Sequence, residues 1–289
     1  MTNPLLSVVI PTWNRAHVVC EAVASALDQR PGEVEVIVVD DASTDATVEL
    51  VKKTFGRRVH VLPLTIQRGP GAARNAGALL ACGQYIAFLD SDDVWLPGKL
   101  DAELRVFSEF PEANAVVSDS QNFYEGEPDS SSRFAQNGLL RATEGHVRLV
   151  DEIDWLWTNS MNIAYTCGIT LRRRVLAQLG RRLFADELRC CEDWDFQMRL
   201  YSLGQILVLP QVHSWVRRFN DGSRIGRAVP GRRATREQEL TLVRARLAVI
   251  EKSKPLVERM RADLAAELER FRLETEDQFA RLTAKIKTA

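Results

Sequence analysis

No stretch of the sequence approaches the ~20 apolar residues that a membrane-crossing helix requires, so no transmembrane anchor is expected. Positive charge is not in surplus either. Thirty-eight Lys and Arg face 39 Asp and Glu, a formal net charge of −1, which excludes a nucleic-acid binder held by bulk phosphate attraction. Cysteine is sparse: five residues, at 20, 82, 167, 190 and 191, odd in number and without a CxxC pair. That pattern suits a reducing compartment rather than a disulfide framework. The opening Met1-Thr2-Asn3-Pro4 lacks a basic region leading into an apolar core, so no signal peptide is expected. Internal repeats are lacking too. These absences together predict a soluble cytoplasmic protein, with peripheral contact at the inner face of the membrane left open.

What is present is a chain of 289 residues, 45% hydrophobic and 27% charged, long enough for one large α/β domain with appendages or for two small domains. Its first 120 residues alternate strand and helix patterns. Leu6–Ile10, Val34–Val39, Val59–Leu62 and Tyr85–Leu89 read as strands. Helical spacing spans residues 16–28, 45–54 and 72–81, with Ser43 or Thr44 capping the second helix. The strands are continuously apolar rather than alternating, as in a parallel sheet covered by helices on both faces. Asn114–Asp119 reads as a fifth strand, 121–146 as a polar mobile loop, 162–171 as a strand and 172–180 as a short helix. Another helix begins near Glu192, followed by extended runs at 206–209 and 212–216.

Ligands of doubly wound sheets bind at the carboxyl ends of the strands. Three polar clusters fall there: Pro11-Thr12-Trp13, Asp40-Asp41, and Asp90, Ser91, Asp92 and Asp93. Carboxylates crowded at a strand end repel one another unless a cation compensates them. Oxygen-only ligands suit a hard divalent ion such as Mg²⁺ or Mn²⁺, which in turn holds phosphate oxygens.

Five segments in register, namely Ser7–Arg15, Val38–Asp45, Ala73–Gly77, Gly83–Asp93 and Glu192–Asp195, resemble family 2 of the inverting glycosyltransferases over about residues 5–225. The resemblance implies a GT-A fold, a Rossmann-like, mostly parallel sheet flanked by helices, here carrying a C-terminal helical extension. It divides the chain into a nucleotide-sugar-binding half at 1–119, an acceptor half at 120–225 and an extension at 226–289. It also implies transfer of a sugar from a nucleoside-diphosphate sugar, usually a UDP-sugar, to a saccharide, lipid-linked or other hydroxyl acceptor.

By the same resemblance Asp41 hydrogen-bonds the nucleobase, while Asp40 braces its loop. Trp13 offers a flat face for the base to stack on, or serves the core, and Pro11 opens that loop. Arg15 and Arg74 are candidates for diphosphate or ribose contacts, since a guanidinium matches phosphate bidentately; ordinary ion pairs are the alternative. Asp90-Ser91-Asp92 matches the DXD element, with Asp92 on the metal, Asp90 on ribose or donor sugar, and Asp93 supporting either. Asp193 matches the general base, with Glu192 and Asp195 as helix N-terminal acids or supports. His213 is a candidate third metal or phosphate ligand. Arg217 and Arg218 open a segment, 217–236, that holds seven arginines and one acid and resembles a loop closing over the diphosphate. Trp155, Trp157 and Asn159 suit either sugar stacking or core packing.

Beyond it, 235–252 and 256–287 are strongly helical, interrupted at Pro255. Residues 256–289 carry seven basic and seven acidic side chains. Balanced charge favours a coiled coil or hairpin, packed on the core or on a second subunit, over a membrane-surface helix. Two other functions are consistent with an acidic nucleotide fold: a nucleotidyltransferase, and a non-catalytic nucleotide-sugar binder or scaffold. The first commonly has a Gly-rich basic loop after its first strand, where Pro11–Arg15 stands instead.

Overall fold

The computed structural model describes residues 3–124, 126–140, 146–149, 163–180, 182–188, 190–218, 236–260 and 265–287. In chain order the elements are β1 (Leu6–Thr12), α1 (Val19–Leu27), β2 (Val34–Asp40), α2 (Thr47–Phe55), β3 (Val59–Pro63), α3 (Pro70–Leu80), β4 (Tyr85–Phe88), β5 (Val94–Trp95), α4 (Lys99–Glu109), β6 (Ala115–Tyr124), β7 (Glu127–Ser132) and α5 (Arg133–Gln136). They continue with β8 (Arg148–Leu149), β9 (Ile169–Arg172), α6 (Val175–Leu179), α7 (Glu192–Tyr201), β10 (Ile206–Arg218), α8 (Arg236–Met260) and α9 (Ala265–Lys287).

The strands form one sheet in the order β3-β2-β1-β4-β9-β6-β10-β5, with β7 added to β6 and β8 to β10. β3, β2, β1 and β4 are parallel. β9 lies antiparallel between β4 and β6, and β6 runs parallel to β10. Alternate residues of β1 face opposite cores: Val8 and Ile10 meet α1, α2 and α4, while Val9 packs with α3, α7 and the two C-terminal helices. Both sheet faces are thus covered, which explains the unbroken apolar runs. Gly77 permits the close approach of α3, since a Cβ there would lie 2.3 Å from Val9 Cγ1 and 3.0 Å from Val39 Cγ2.

The polar stretch after Asp119 differs from expectation. β6 continues to Tyr124, Gly126 adopts a φ of +99°, and β7 returns antiparallel, ending at α5, where Ser132 Oγ accepts from Ala135 N at 3.3 Å. Backbone pairing at a sheet edge needs no apolar side chains, so composition concealed this hairpin. α8 also runs through Pro255 to Met260 instead of stopping there. The proline removes the hydrogen bond to the carbonyl of residue 251, and both Glu251 and Pro255 are exposed, so water can satisfy that carbonyl and the helix survives.

α8 and α9 form a hairpin whose Val249, Ile250 and Leu268 share a buried cluster with Trp194, Met198 and Leu200 of α7. The C-terminal helices are therefore packed on the molecule's own core.

Candidate active site

The carboxyl ends of β1, β2 and β4 meet by register. Thr12 pairs with Asp40, and Asp41 N donates to Thr12 O at 2.8 Å. Asp40 accepts from Ser43 N at 3.0 Å and from Ser43 Oγ. Asp41, by contrast, accepts from Arg68 N at 2.8 Å and Gly69 N at 2.7 Å, holding the turn that opens α3. Asn14 and Ala42 take positive φ in the two facing loops, which are tied by Asn14 N donating to Ser43 Oγ at 2.8 Å and Thr44 N donating to Asn14 Oδ1 at 2.8 Å. Trp13 is 45% exposed, so its ring is not a core element but an open face on the cavity wall.

Beside this edge, Arg74 of α3 lies buried at the centre of an acidic network. Its Nη2 donates to Asp90 Oδ1 at 2.6 Å and its Nη1 to Glu192 Oε1 at 3.0 Å, with its guanidinium 5.1 Å from the Phe184 ring centroid. Asn75 fixes the neighbouring strand of chain, donating to Phe184 O at 2.8 Å and accepting from Phe184 N at 2.9 Å. Arg74 therefore links the β4 acids to the α7 acids rather than standing unpaired for a diphosphate. Arg15 approaches Asp92, Nε to Oδ2, at 3.8 Å, and Asp93 Oδ1 accepts from Arg217 N at 3.1 Å.

Across the cavity α7 begins abruptly. Cys191 takes a φ of +66°, and Glu192, Asp193 and Asp195 follow in the first turn, where the helix dipole favours negative charge. Asp193 Oδ1 accepts from Trp194 N at 2.8 Å. Burial pushes the Asp193 carboxyl above the usual carboxylate range; the Arg74 charge opposes this and Asp90 adds to it. Burial likewise raises Glu192 against the pull of Arg74. Asp195 turns away, accepting from Arg199 Nη2 at 2.7 Å, with Lys252 of α8 at 3.6 Å.

Pro11, Trp13, Arg15, Asp41, Arg74, Asp90, Ser91, Asp92, Glu192, Asp193 and Arg218 all line one cavity of about 1030 Å³. The β4 acids and the α7 acids thus stand on walls of a shared cleft. Two expected residues lie elsewhere. His213 is the extra residue of a β-bulge in β10, between the pairs Val212–Asp119 and Ser214–Ser120, and its charged neighbours are Glu103, Lys99 and Arg105 of α4. Arg217 reaches out to Glu21. Trp155, Trp157 and Asn159 lie outside the described residues. The cavity also takes residues that sequence reasoning missed: Tyr165, and Leu242, Arg246 and Phe271 from the C-terminal hairpin. Leu242 and Arg246, four residues apart within an apolar helical stripe, carried a readable signal.

An open sheet in this order, with loop acids at the carboxyl ends of β2 and β4 and an acid-tipped helix opposite, has the GT-A-type fold. The sequence model for Glycosyl transferase family 2 matches residues 7–180, and the chain belongs to that family. The succinoglycan biosynthesis protein ExoO of Rhizobium meliloti (strain 1021) is 32% identical over 221 residues, covering 76% of this chain and 62% of that protein. WfaP of Escherichia coli, a UDP-Glc:alpha-D-GlcNAc-diphosphoundecaprenol beta-1,3-glucosyltransferase, is 34% identical over 120 residues, 42% of this chain and 46% of the relative. The chain therefore spans less than two thirds of the length of these curated relatives. Among solved structures, S. aureus TarS (1–349) superposes with a TM-score of 0.68 at 21% identity, covering 96% of this chain and 73% of that one. The mannosyltransferase PcManGT of Pyrobaculum calidifontis, in complex with GDP-Man and Mn²⁺, superposes with a TM-score of 0.64 at 17% identity, covering 100% and 76%. At these identities the likeness concerns the fold.

Proposed function

We propose that the chain is a metal-dependent, inverting glycosyltransferase that moves a sugar from a nucleoside-diphosphate sugar to an acceptor hydroxyl by single displacement. The observation that carries this reading is the shared cavity, with the β4 acids on one wall and Asp193 on the other. A UDP-sugar is the favoured donor: TarS is known in complex with UDP and with UDP-GlcNAc, and WfaP is named for UDP-Glc. The names of ExoO and WfaP support a saccharide or lipid-linked acceptor in polysaccharide assembly. No described helix is long and apolar enough to cross a membrane, which is compatible with work at the cytoplasmic face.

In this reading Trp13 stacks on the base and Asp41 accepts from its N–H, while its other lone pairs keep the Arg68-Gly69 turn in place. Arg15 and Arg218 meet the diphosphate. Asp90 holds ribose or donor sugar, oriented by Arg74. Asp193 takes the proton of the acceptor hydroxyl as that oxygen attacks the anomeric carbon from the face opposite the leaving nucleoside diphosphate. Its raised proton affinity suits a base that must hold the proton once the bond has formed. Glu192 keeps Arg74 in line, so the two walls stay in register.

The residues at the β4 end suit a hard cation. Their donors are oxygens, and no group of three or more His, Cys, Asp or Glu side chains converges among the described residues. A protein contribution of one or two carboxylates, Asp92 first, completed by phosphate oxygens, is the usual pattern for Mg²⁺ and is open to Mn²⁺. Such an ion, when bound, neutralises the charge that develops on the departing diphosphate.

Asp193→Asn tests the reading. It is expected to lower transfer at least ~10²-fold, read as UDP release from UDP-sugars, while UDP affinity by calorimetry is preserved. Normal turnover by that variant refutes the assignment of the base. Free pyrophosphate as a product supports a nucleotidyltransferase instead, and inertness toward every nucleotide-sugar supports a binding protein.

A further inference from the structure

The wall of the cavity beyond Asp193 is built by the C-terminal hairpin, and its chemistry is specific. Arg246 of α8 lines the cavity together with Leu242, Phe271 and Trp194. Its helical neighbours three and four residues away, Leu242, Val243, Val249 and Ile250, are all apolar, and Val249 and Ile250 are fully buried. No acid on its own helix face is therefore within reach, and it forms no salt bridge among the described residues. Its charge is felt by the thiols of Cys190 and Cys191, directly before Glu192 and Asp193. Arg246 is half-buried and lines the cavity, so its guanidinium is placed to meet a bound ligand.

Trp194 supplies a second, independent sign. It is 4% exposed, its ring meets Phe271 edge-on at 5.8 Å, and its Nε1–H is buried without a hydrogen-bond partner. Buried indole N–H groups usually find an acceptor. Two donors thus sit on the same wall, next to the carboxylate assigned to the acceptor hydroxyl. That wall is also held in place. Lys252 bridges Glu187 at 2.8 Å and Asp195 at 3.6 Å, locking α8 onto the helix that carries Asp193.

Resting on the glycosyltransferase reading above, we infer that the acceptor is anionic: it carries a phosphate ester or a carboxylate that Arg246 pairs with and to which the Trp194 indole donates. A neutral sugar has no charged group that forms an ion pair with the Arg246 guanidinium. An anionic one does, and Arg246 also offsets its repulsion from Glu192 and Asp193. Arg246 is then a specificity-determining residue, contributed by a part of the chain beyond the 7–180 region that the family model matches.

The test is calorimetry on the full chain saturated with UDP and Mn²⁺, titrated with glucose 1-phosphate, glucuronic acid and methyl glucoside. At least one anionic sugar is expected to bind about 10-fold or more tighter than the neutral one, as for a charge-assisted hydrogen bond. Arg246→Gln brings the anionic and neutral sugars level, Arg246→Lys restores part of the preference, and Trp194→Phe lowers it without removing it. A preference for the phosphate alone identifies a phosphate-ester acceptor, and one for glucuronic acid alone identifies a uronate. Equal affinities in the unaltered protein, no binding of either anionic sugar, or a preference that survives Arg246→Gln overturns the inference. Failure of any nucleoside diphosphate to bind, by contrast, overturns the glycosyltransferase reading itself.

Discussion

Replacing Arg74 by Met removes the cation that joins the two walls of the cleft while keeping most of its volume. Arg74 side-chain exposure is 5%, against 33% for Asp90 and 12% for Glu192. The Asp90 pair is partly screened by water and is assigned about 1 kcal/mol. The Glu192 pair is a buried hydrogen bond between charges, about 1.5–3 kcal/mol, and the stack on Phe184 adds about 0.5–1 kcal/mol. The sum, roughly 3–5 kcal/mol, equals what breaking a buried ion pair generally costs. Urea unfolding followed by circular dichroism, at unchanged m, reads this loss directly. Its pH dependence carries a sign. Burial already holds the Glu192 carboxyl above the usual carboxylate range, with Arg74 pulling it down. Without Arg74 it rises further, so the folded variant binds a proton that the unfolded chain has released, and its stability falls as pH rises through that interval. The deficit relative to the unaltered protein is therefore full at pH 8 and shrinks as pH falls toward the ordinary glutamic acid value of about 4.3. A loss under about 1 kcal/mol at pH 8, or one independent of pH, refutes the view of Arg74 as the buried counter-ion of both walls.

Asp92→Ala is expected to abolish the gain in UDP affinity that Mn²⁺ produces in calorimetry, and equal affinities with and without the ion in both proteins contradict its assignment. Lys252→Met leaves Asp195, fully buried, with Arg199 alone. The hairpin should loosen, seen as faster limited proteolysis within α8 and α9 with UDP affinity preserved, and unchanged proteolysis tells against the lock. Gly77→Ala forces a methyl to within 2.3 Å of Val9 Cγ1 and should destabilise by roughly 1–3 kcal/mol in urea, a loss that Val9→Ala recovers in part.

Much of the donor side was legible along the chain because its signals are local. The apolar runs at Val8–Ile10 and Val36–Val39 declare covered strands, and the acids that follow each strand stand at its carboxyl end by chain continuity alone. Asp40 braces its loop through Ser43, three residues away. The acceptor side was less legible. Arg74 and Glu192 are 118 residues apart in the chain and touch only through packing of α3 against α7, so the sequence left Arg74 open between a phosphate contact and an ion pair and could not name its partners. β7, Glu127–Ser132, has little apolar signal, since it gains most from backbone pairing, and β5 is only two residues long. The pattern also left α4 unassigned. His213 resembled a ligand in a linear extended run, but a one-residue bulge in β10 moved it from the regular register.

By itself the sequence determined the parallel β3-β2-β1-β4 half of a sheet that is mixed as a whole, and the identity of the acids at its carboxyl edge, because strand period, turn residues and strand ends are properties of neighbours in the chain. Only the tertiary structure decided that Asp92 and Asp193 share a cavity, that Arg74 bridges their neighbours Asp90 and Glu192, and that the C-terminal hairpin supplies Arg246 to the far wall. Those relations come from burying helix faces against one another, and burial joins residues irrespective of how much chain separates them.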